Sequence, residues 1–166
     1  MVVAGIIVVI LIAGVVGFIC LEKKQYDKIS FKETLELTDL PIVTFHHINK
    51  DNNDIKLNFL LDTGANRSII DEVALTHCYY STIEKENFLC GLDGVDRKVY
   101  NVKMCLVYNN KNYQEVFQVS DMSFVFDKMK QENGVTIHGI LGNTFFNKYR
   151  YIIDFDKLIF YSKYKV

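Results

Sequence analysis

The sequence predicts a mainly β protein: a closed, barrel-like domain with one or two short helices, preceded by an N-terminal transmembrane helix. Three observations lead there. Beyond Pro41 the chain is a succession of short apolar-alternating runs separated by tight turn clusters, with few helical patterns between them. One Pro, no Trp, ten Tyr and twelve Phe suit strands, whose pleated surface accommodates aromatic rings. Residues 1–21 carry no charged side chain and are dominated by Val, Ile, Leu, Gly and Ala.

A helix over 1–21 would be roughly 30 Å long, the thickness of a bilayer's hydrocarbon core. A cleaved signal peptide is the competing expectation, but it usually carries a basic start and a small-x-small cleavage site. Here no Lys or Arg precedes the run, and the best cut, after Gly17 with Val15 before it, is poor. Bulky Ile19 before Cys20 likewise spoils a lipoprotein signal. Lys23, Lys24 and Lys28 follow the span, so the positive-inside rule places the remaining chain on the cytoplasmic side. The expectation is a single-pass membrane protein. Ala13 and Gly17 add a small-xxx-small pair through which two such helices can approach closely.

Residues 22–40 are polar and charged with no sustained period; they read as a tether, with a helical turn near 31–37. The domain proper is expected over 41–166. Residues 42–48 read as a strand and 49–54 as a turn. Over 55–61, Ile55, Leu57, Phe59 and Leu61 alternate with Lys56, Asn58 and Leu60, the period of two that buries one face of a strand. The pair makes a hairpin. A short helix is expected around 71–77. Strands 88–90 and 98–108 flank the turn Gly91-Leu92-Asp93-Gly94, and a second hairpin turns at 109–112 into 113–119. Residues 123–131 suit one or two helical turns ending at Asn133-Gly134. An inner strand over 135–141, a short helix over 143–149 and a last hairpin of 151–155 with 158–161 complete the pattern.

Composition narrows the function. A net charge of −1 argues against a nucleic-acid binder, which usually carries a basic excess. Of the four cysteines, Cys20, Cys78, Cys90 and Cys105, no two have the short spacing of a zinc or redox site. Buried free thiols are the expectation. His46, His47, His77 and His138 show no ligand spacing beyond the adjacent pair, whose side chains point to opposite faces of a strand. No metal and no cofactor is expected.

The informative stretch runs from Phe59 through Leu60-Leu61-Asp62-Thr63-Gly64-Ala65-Asn66-Arg67-Ser68 to Ile69-Ile70. An apolar strand delivers a carboxylate into a loop that at once demands a small hydroxyl and a glycine. Alone, Asp-Thr-Gly marks many plain turns. Far downstream, however, stands Gly139-Ile140-Leu141-Gly142-Asn143-Thr144-Phe145-Phe146, and after it Ile153-Asp154-Phe155 in the terminal hairpin. In this order the segments resemble the active-site motif, the apolar-apolar-Gly element with its short helix, and the C-terminal end of the retropepsin-like and pepsin-like aspartic peptidases. The resemblance covers roughly 41–161.

That resemblance implies a retropepsin-like β-barrel and an aspartic endopeptidase, with Asp62, Thr63 and Gly64 catalytic. It implies that Ala65, Ile140, Leu141 and a flap at Gly91, Leu92, Asp93 and Gly94 contact a peptide or protein substrate. The chain carries one Asp-Thr-Gly where the chemistry needs two carboxylates, so a homodimer is implied, each chain contributing Asp62 across a two-fold axis. The Leu92-Asp93 tip departs from the glycine-rich flap of retroviral enzymes, which points to a cellular or bacterial relative. Asp93 and Asp96 near the flap and Arg67 beside the motif read as solvated charges. Two rivals stand: the same fold as a catalytically silent, membrane-anchored binding or dimerisation module, and an anchored β-barrel adaptor with a coincidental Asp-Thr-Gly.

Overall fold

A computed structural model describes residues 27–90 and 96–163. The elements follow one another as β1 (Asp27–Ser30), α1 (Lys32–Thr38), β2 (Ile42–Ile48), β3 (Asp54–Leu61), β4 (Ile69–Asp71) and α2 (Glu72–Leu75). Then come β5 (Ser81–Cys90), β6 (Asp96–Tyr108), β7 (Lys111–Ser120) and α3 (Ser123–Asn133). The chain ends through β8 (Gly139–Leu141), α4 (Asn143–Tyr149), β9 (Tyr151–Asp154) and β10 (Ile159–Ser162). Strands β2, β3, β8, β4, β7 and β6 pair in that order, and β6 returns to β2 at His46 and Val107. The result is a closed six-stranded barrel. β5 hangs from the outer edge of β6, and β1, β10 and β9 form a separate three-stranded sheet.

The expected alternation sets the barrel's inside. Leu57, Phe59 and Leu61 of β3 point inward, as do Val43 and Phe45 of β2 and Tyr113, Phe117 and Val119 of β7. α4 closes one end by dropping Phe145, Phe146 and Tyr149 into this core. Phe145 stacks on Tyr151 at 5.8 Å, and Tyr151 meets Phe160 edge-on at 4.8 Å, so the three-stranded sheet and the barrel share one aromatic centre. Such ring pairs add about 0.5–1.5 kcal/mol each beyond their area burial.

Three expectations need correction. The helix expected over 1–21 lies outside the described residues, and among the described residues no helix is long and apolar enough to cross a membrane. The longest, α3, spans 11 residues, or ~16 Å, against the ~20 residues that a bilayer requires. The membrane-anchored, single-pass reading, the membrane as partner and the cytoplasmic placement drawn from it are therefore not retained. Second, the described residues form four helices rather than one or two, since the short helical runs read near 31–37 and 71–77 both fold, as α1 and α2, beside α3 and α4.

Third, residues 27–38 are not a tether. β1 pairs antiparallel with β10, from Asp27 opposite Ser162 to Ser30 opposite Ile159. Ile29 and Phe31 are fully buried, and α1 ends on Asp39 in the left-handed region. Asp27 ties the strand down: its Oδ2 accepts from Lys111 Nζ at 2.6 Å, Tyr113 OH at 2.9 Å and Tyr151 OH at 2.5 Å. Those donors outweigh burial and hold its carboxyl below the usual range.

Candidate active site

β3 runs through the barrel and leaves it at Leu61, which delivers Asp62 to the rim. The Asp62 backbone is fixed at once. Its N–H donates to Leu141 O at 3.1 Å, and its carbonyl accepts from Ala65 N at 3.2 Å. The side chain is held as well, since Gly64 N donates to Asp62 Oδ1 at 2.8 Å. A Cβ on Gly64 would stand 3.1 Å from that oxygen, which explains a glycine here: the backbone passes against the carboxylate. Asp62 and Ala65 are partly exposed, and Thr63 and Gly64 are exposed.

The second motif lies beside the first because β8 is threaded between β3 and β4, parallel to β3 and antiparallel to β4. Its two glycines are required by contact. A Cβ on Gly139 would come within 2.4 Å of Ile69 O, and one on Gly142 within 2.4 Å of Arg67 O and 2.7 Å of Ala65 O. Asn143 then stitches the start of α4 to the Asp62 loop: its N–H donates to Ala65 O at 2.8 Å and its Nδ2 to Thr63 O at 2.9 Å. The sequence motif includes Asn143 but gives no hint of this double contact.

Beneath the loop lies a buried polar knot that the sequence reading did not single out. Glu115 Oε1 accepts from Ser68 Oγ at 2.9 Å and from Thr144 Oγ1 at 3.1 Å. Ser68 Oγ in turn accepts from Gly142 N at 3.2 Å, and Ser68 N donates to Thr144 Oγ1 at 3.1 Å. Lys148 Nζ approaches Glu115 Oε2 at 3.8 Å. Glu115 is buried, and desolvation pushes its pKa up against the lowering pull of Ser68, Thr144 and Lys148. The signal was present: Glu115 falls on the inward parity of β7, between Tyr113 and Phe117, where a carboxylate needs partners.

The expected substrate contacts are placed unevenly. Ala65 packs with Ile69 and Ile140 in a second apolar cluster under Phe126 of α3, on the outer face of the barrel. Leu141 points into the interior and offers the loop its backbone oxygen. Gly91, Leu92, Asp93 and Gly94 lie outside the described residues, though β5 and β6 pair as a hairpin down to Cys90 opposite Asp96. Arg67 is exposed.

His46, His47 and Cys78 have structural roles. His46 bonds Asp54 at 2.7 Å on the surface, and His47, buried, reaches Cys105 O at 2.8 Å and accepts from Tyr79 N at 3.0 Å. His77 is exposed. Cys78 is a buried free thiol whose pKa burial raises to about 11, so it is inert.

A family model described as retroviral aspartyl protease matches residues 38–151. Among solved structures the chain is similar to EIAV protease complexed with the inhibitor HBY-793. There the identity is 17%, the TM-score 0.44, and coverage 66% of this chain and 86% of that one. It is also similar to a retropepsin-like aspartic protease from Rickettsia conorii, at 15% identity and a TM-score of 0.45, covering 82% of this chain and 90% of that one. No curated protein matches it.

Proposed function

The chain belongs to the retroviral aspartyl protease family, and from that membership we propose that it is an aspartic endopeptidase that works as a homodimer. Asp62 is its catalytic carboxylate, contributed once by each chain. The observation that carries the reading is the hold on Asp62: its loop is gripped by Gly64, Leu141 and Asn143 while the residue itself stays partly exposed. Such a loop is pre-organised for chemistry.

Two carboxylates ~4 Å apart across a two-fold axis repel by roughly 4 kcal/mol at an effective dielectric near 20. The pair therefore holds one proton between them, and its apparent pKa values belong to the dyad. The ionised partner takes a proton from a water that attacks the scissile carbonyl, and the protonated partner donates to the developing oxyanion. Thr63 steadies the loop at the dimer axis through its hydroxyl. Gly64 keeps the water's approach clear of a side chain. A peptide or protein is the substrate, bounded on one side by Ala65 and Ile140 and, as the family resemblance implies, contacted by Gly91, Leu92, Asp93 and Gly94.

Asp62→Asn tests this directly, because it removes the shared proton and leaves the shape. The variant should keep the parent's melting temperature within a few degrees and lose peptide cleavage by at least ~10³-fold. The parent's rate should trace a bell on the acid side of neutrality. A variant that cuts peptides at the parent rate ends the assignment of Asp62. A parent that cuts nothing leaves the fold to its rival use as a silent binding module.

A further inference from the structure

The proposed mechanism leaves one buried carboxylate unused. Glu115 is 2% exposed and falls on the inward parity of β7, between Tyr113 and Phe117. Three elements meet at it: β7 itself, the Asp62 loop through Ser68, and the β8–α4 turn through Thr144. Lys148 of α4 faces it as well, 3.8 Å from Oε2. Taking a carboxylate out of water at such a position is costly, and a well-packed apolar residue often serves stability as well or better. What the carboxylate supplies instead is direction.

Each of the two hydroxyls has one proton to give. Both give it to Glu115 Oε1, Ser68 Oγ at 2.9 Å and Thr144 Oγ1 at 3.1 Å. Their lone pairs are thereby left for backbone donors: Ser68 Oγ accepts from Gly142 N at 3.2 Å, and Thr144 Oγ1 from Ser68 N at 3.1 Å. Gln118 N of β7 donates to Ser68 O at 2.9 Å. Ser68 is therefore fully buried with its N–H, carbonyl and hydroxyl all engaged, at the far end of the loop that begins at Asp62.

The consequence reaches Asp62 through four consecutive residues. Leu141 O takes the N–H of Asp62, and Gly142 N reaches Ser68. Asn143 holds the carbonyls of Thr63 and Ala65, and Thr144 takes the N–H of Ser68. The β8–α4 turn is thus bound to the loop from one end to the other, and the Gly142 and Thr144 bonds are oriented by Glu115. Remove that acceptor and the Ser68 hydroxyl turns instead to Thr144 Oγ1, 3.3 Å away, while the Thr144 proton loses its inward partner. The two residues then no longer share the point that fixes them.

We propose that Glu115 is a positioning residue: by orienting Ser68 and Thr144 it sets how the 141–144 turn sits against the Asp62 loop, and so where Asp62 points. This rests on the peptidase reading and adds to it a group that touches neither substrate nor reacting atoms yet governs kcat. The leverage is large, because a misplacement of about 1 Å at the reacting groups costs roughly 10²-fold in rate. The role requires the acceptor oxygen, so Gln in its place preserves it and Ala does not.

The test is peptide cleavage by the parent, Glu115→Gln, Glu115→Ala and the near-isosteric Thr144→Val. Each is assayed well below its own melting point, at protein concentrations where sedimentation shows it dimeric. Glu115→Ala should lower kcat by about 10- to 100-fold and move KM by less than about threefold, while Glu115→Gln keeps kcat within about threefold of the parent. Thr144→Val should also lower kcat selectively, and combining it with Glu115→Ala should add little, since both break the same network. A Glu115→Ala chain that turns over at the parent kcat overturns the positioning role and leaves the peptidase reading standing. So does a Glu115→Gln chain as slow as Glu115→Ala. Should Glu115→Ala fail to fold, Thr144→Val decides: a parent kcat overturns the role, and a selective loss of kcat supports it. A parent that cleaves no peptide overturns both readings.

Discussion

At Glu115 a carboxylate occupies the apolar parity of β7, where burial raises its pKa and the hydroxyls of Ser68 and Thr144 are directed at it. Because the folded value is raised above the unfolded one, the native state binds more protons between the two values, and stability falls as pH rises through that window. Glu115→Gln keeps an acceptor and removes the titration. The parent should therefore gain on this variant as pH falls from the raised folded value into the ordinary glutamate range. Denaturant unfolding from about pH 8 to about pH 4 measures it, and a difference that stays flat would refute the desolvated carboxylate. Glu115→Ala, which leaves two buried hydroxyls short of an acceptor, should cost about 2–3 kcal/mol. At this scale the sequence was half legible. Asp62 stands out in sequence as the candidate because the neighbours that would define its site, Thr63 and Gly64, adjoin it in the chain. Glu115 could not be tied to the site, since its partners Ser68 and Thr144 lie 47 and 29 residues away.

Length helped some elements but did not decide legibility: four-residue β9 and β10 match the sequence reading to within a residue, whereas ten-residue β5 was expected only over 88–90. β2 and β3, with seven and eight residues, complete several periods of two and match the sequence reading to within a residue. β4, with three, completes less than two and was missed; it is a strand because β8 and β7 pair with it on either side. Residues 135–138 look like strand in sequence, yet β8 begins only at Gly139. There Asn58 N donates to His138 Nδ1 at 3.0 Å and Asn58 Nδ2 to Thr136 O at 2.8 Å, while backbone bonding persists only at His138, whose N–H donates to Asn58 O at 2.8 Å and whose carbonyl accepts from Asp71 N at 2.9 Å. The burial of His138, which lowers its pKa, keeps the ring able to accept. The threading of β8 between β3 and β4 makes a sharp prediction about glycines. Gly142→Ala must push its Cβ away from Arg67 O and Ala65 O, which shifts the loop carrying Asp62 and costs roughly 1–3 kcal/mol. Gly134→Ala meets nothing, although its φ of 73° also strains a side chain by about 1–2 kcal/mol. Thermal melts should thus fall for both, while peptide cleavage should fall further than stability explains only for Gly142→Ala. Equal catalytic losses would mean that β8 does not position the site.

For the molecule as a whole the count of motifs governs the argument. One barrel carries one Asp-Thr-Gly, so a lone chain holds half of the proposed site. Asp154 is a poor candidate for the missing half: its Oδ1 accepts from Lys157 N at 3.0 Å and its Oδ2 pairs with Lys157 Nζ at 2.6 Å in the three-stranded sheet. That pairing holds its pKa below the usual carboxylate range, the wrong direction for a group that must share a proton. Asp71 is engaged too, accepting from Ala74 N at 3.4 Å and Met122 N at 2.9 Å as it caps α2. Activity should therefore need a second copy. Specific activity measured against protein concentration, with molecular mass followed by sedimentation, should fall on dilution as dimer gives way to monomer, and should return on reconcentration. Mixing parent with excess Asp62→Asn chains should poison it, because each mixed dimer carries one carboxylate. The shared site is refuted by a monomer whose turnover is independent of concentration and untouched by the inactive chain.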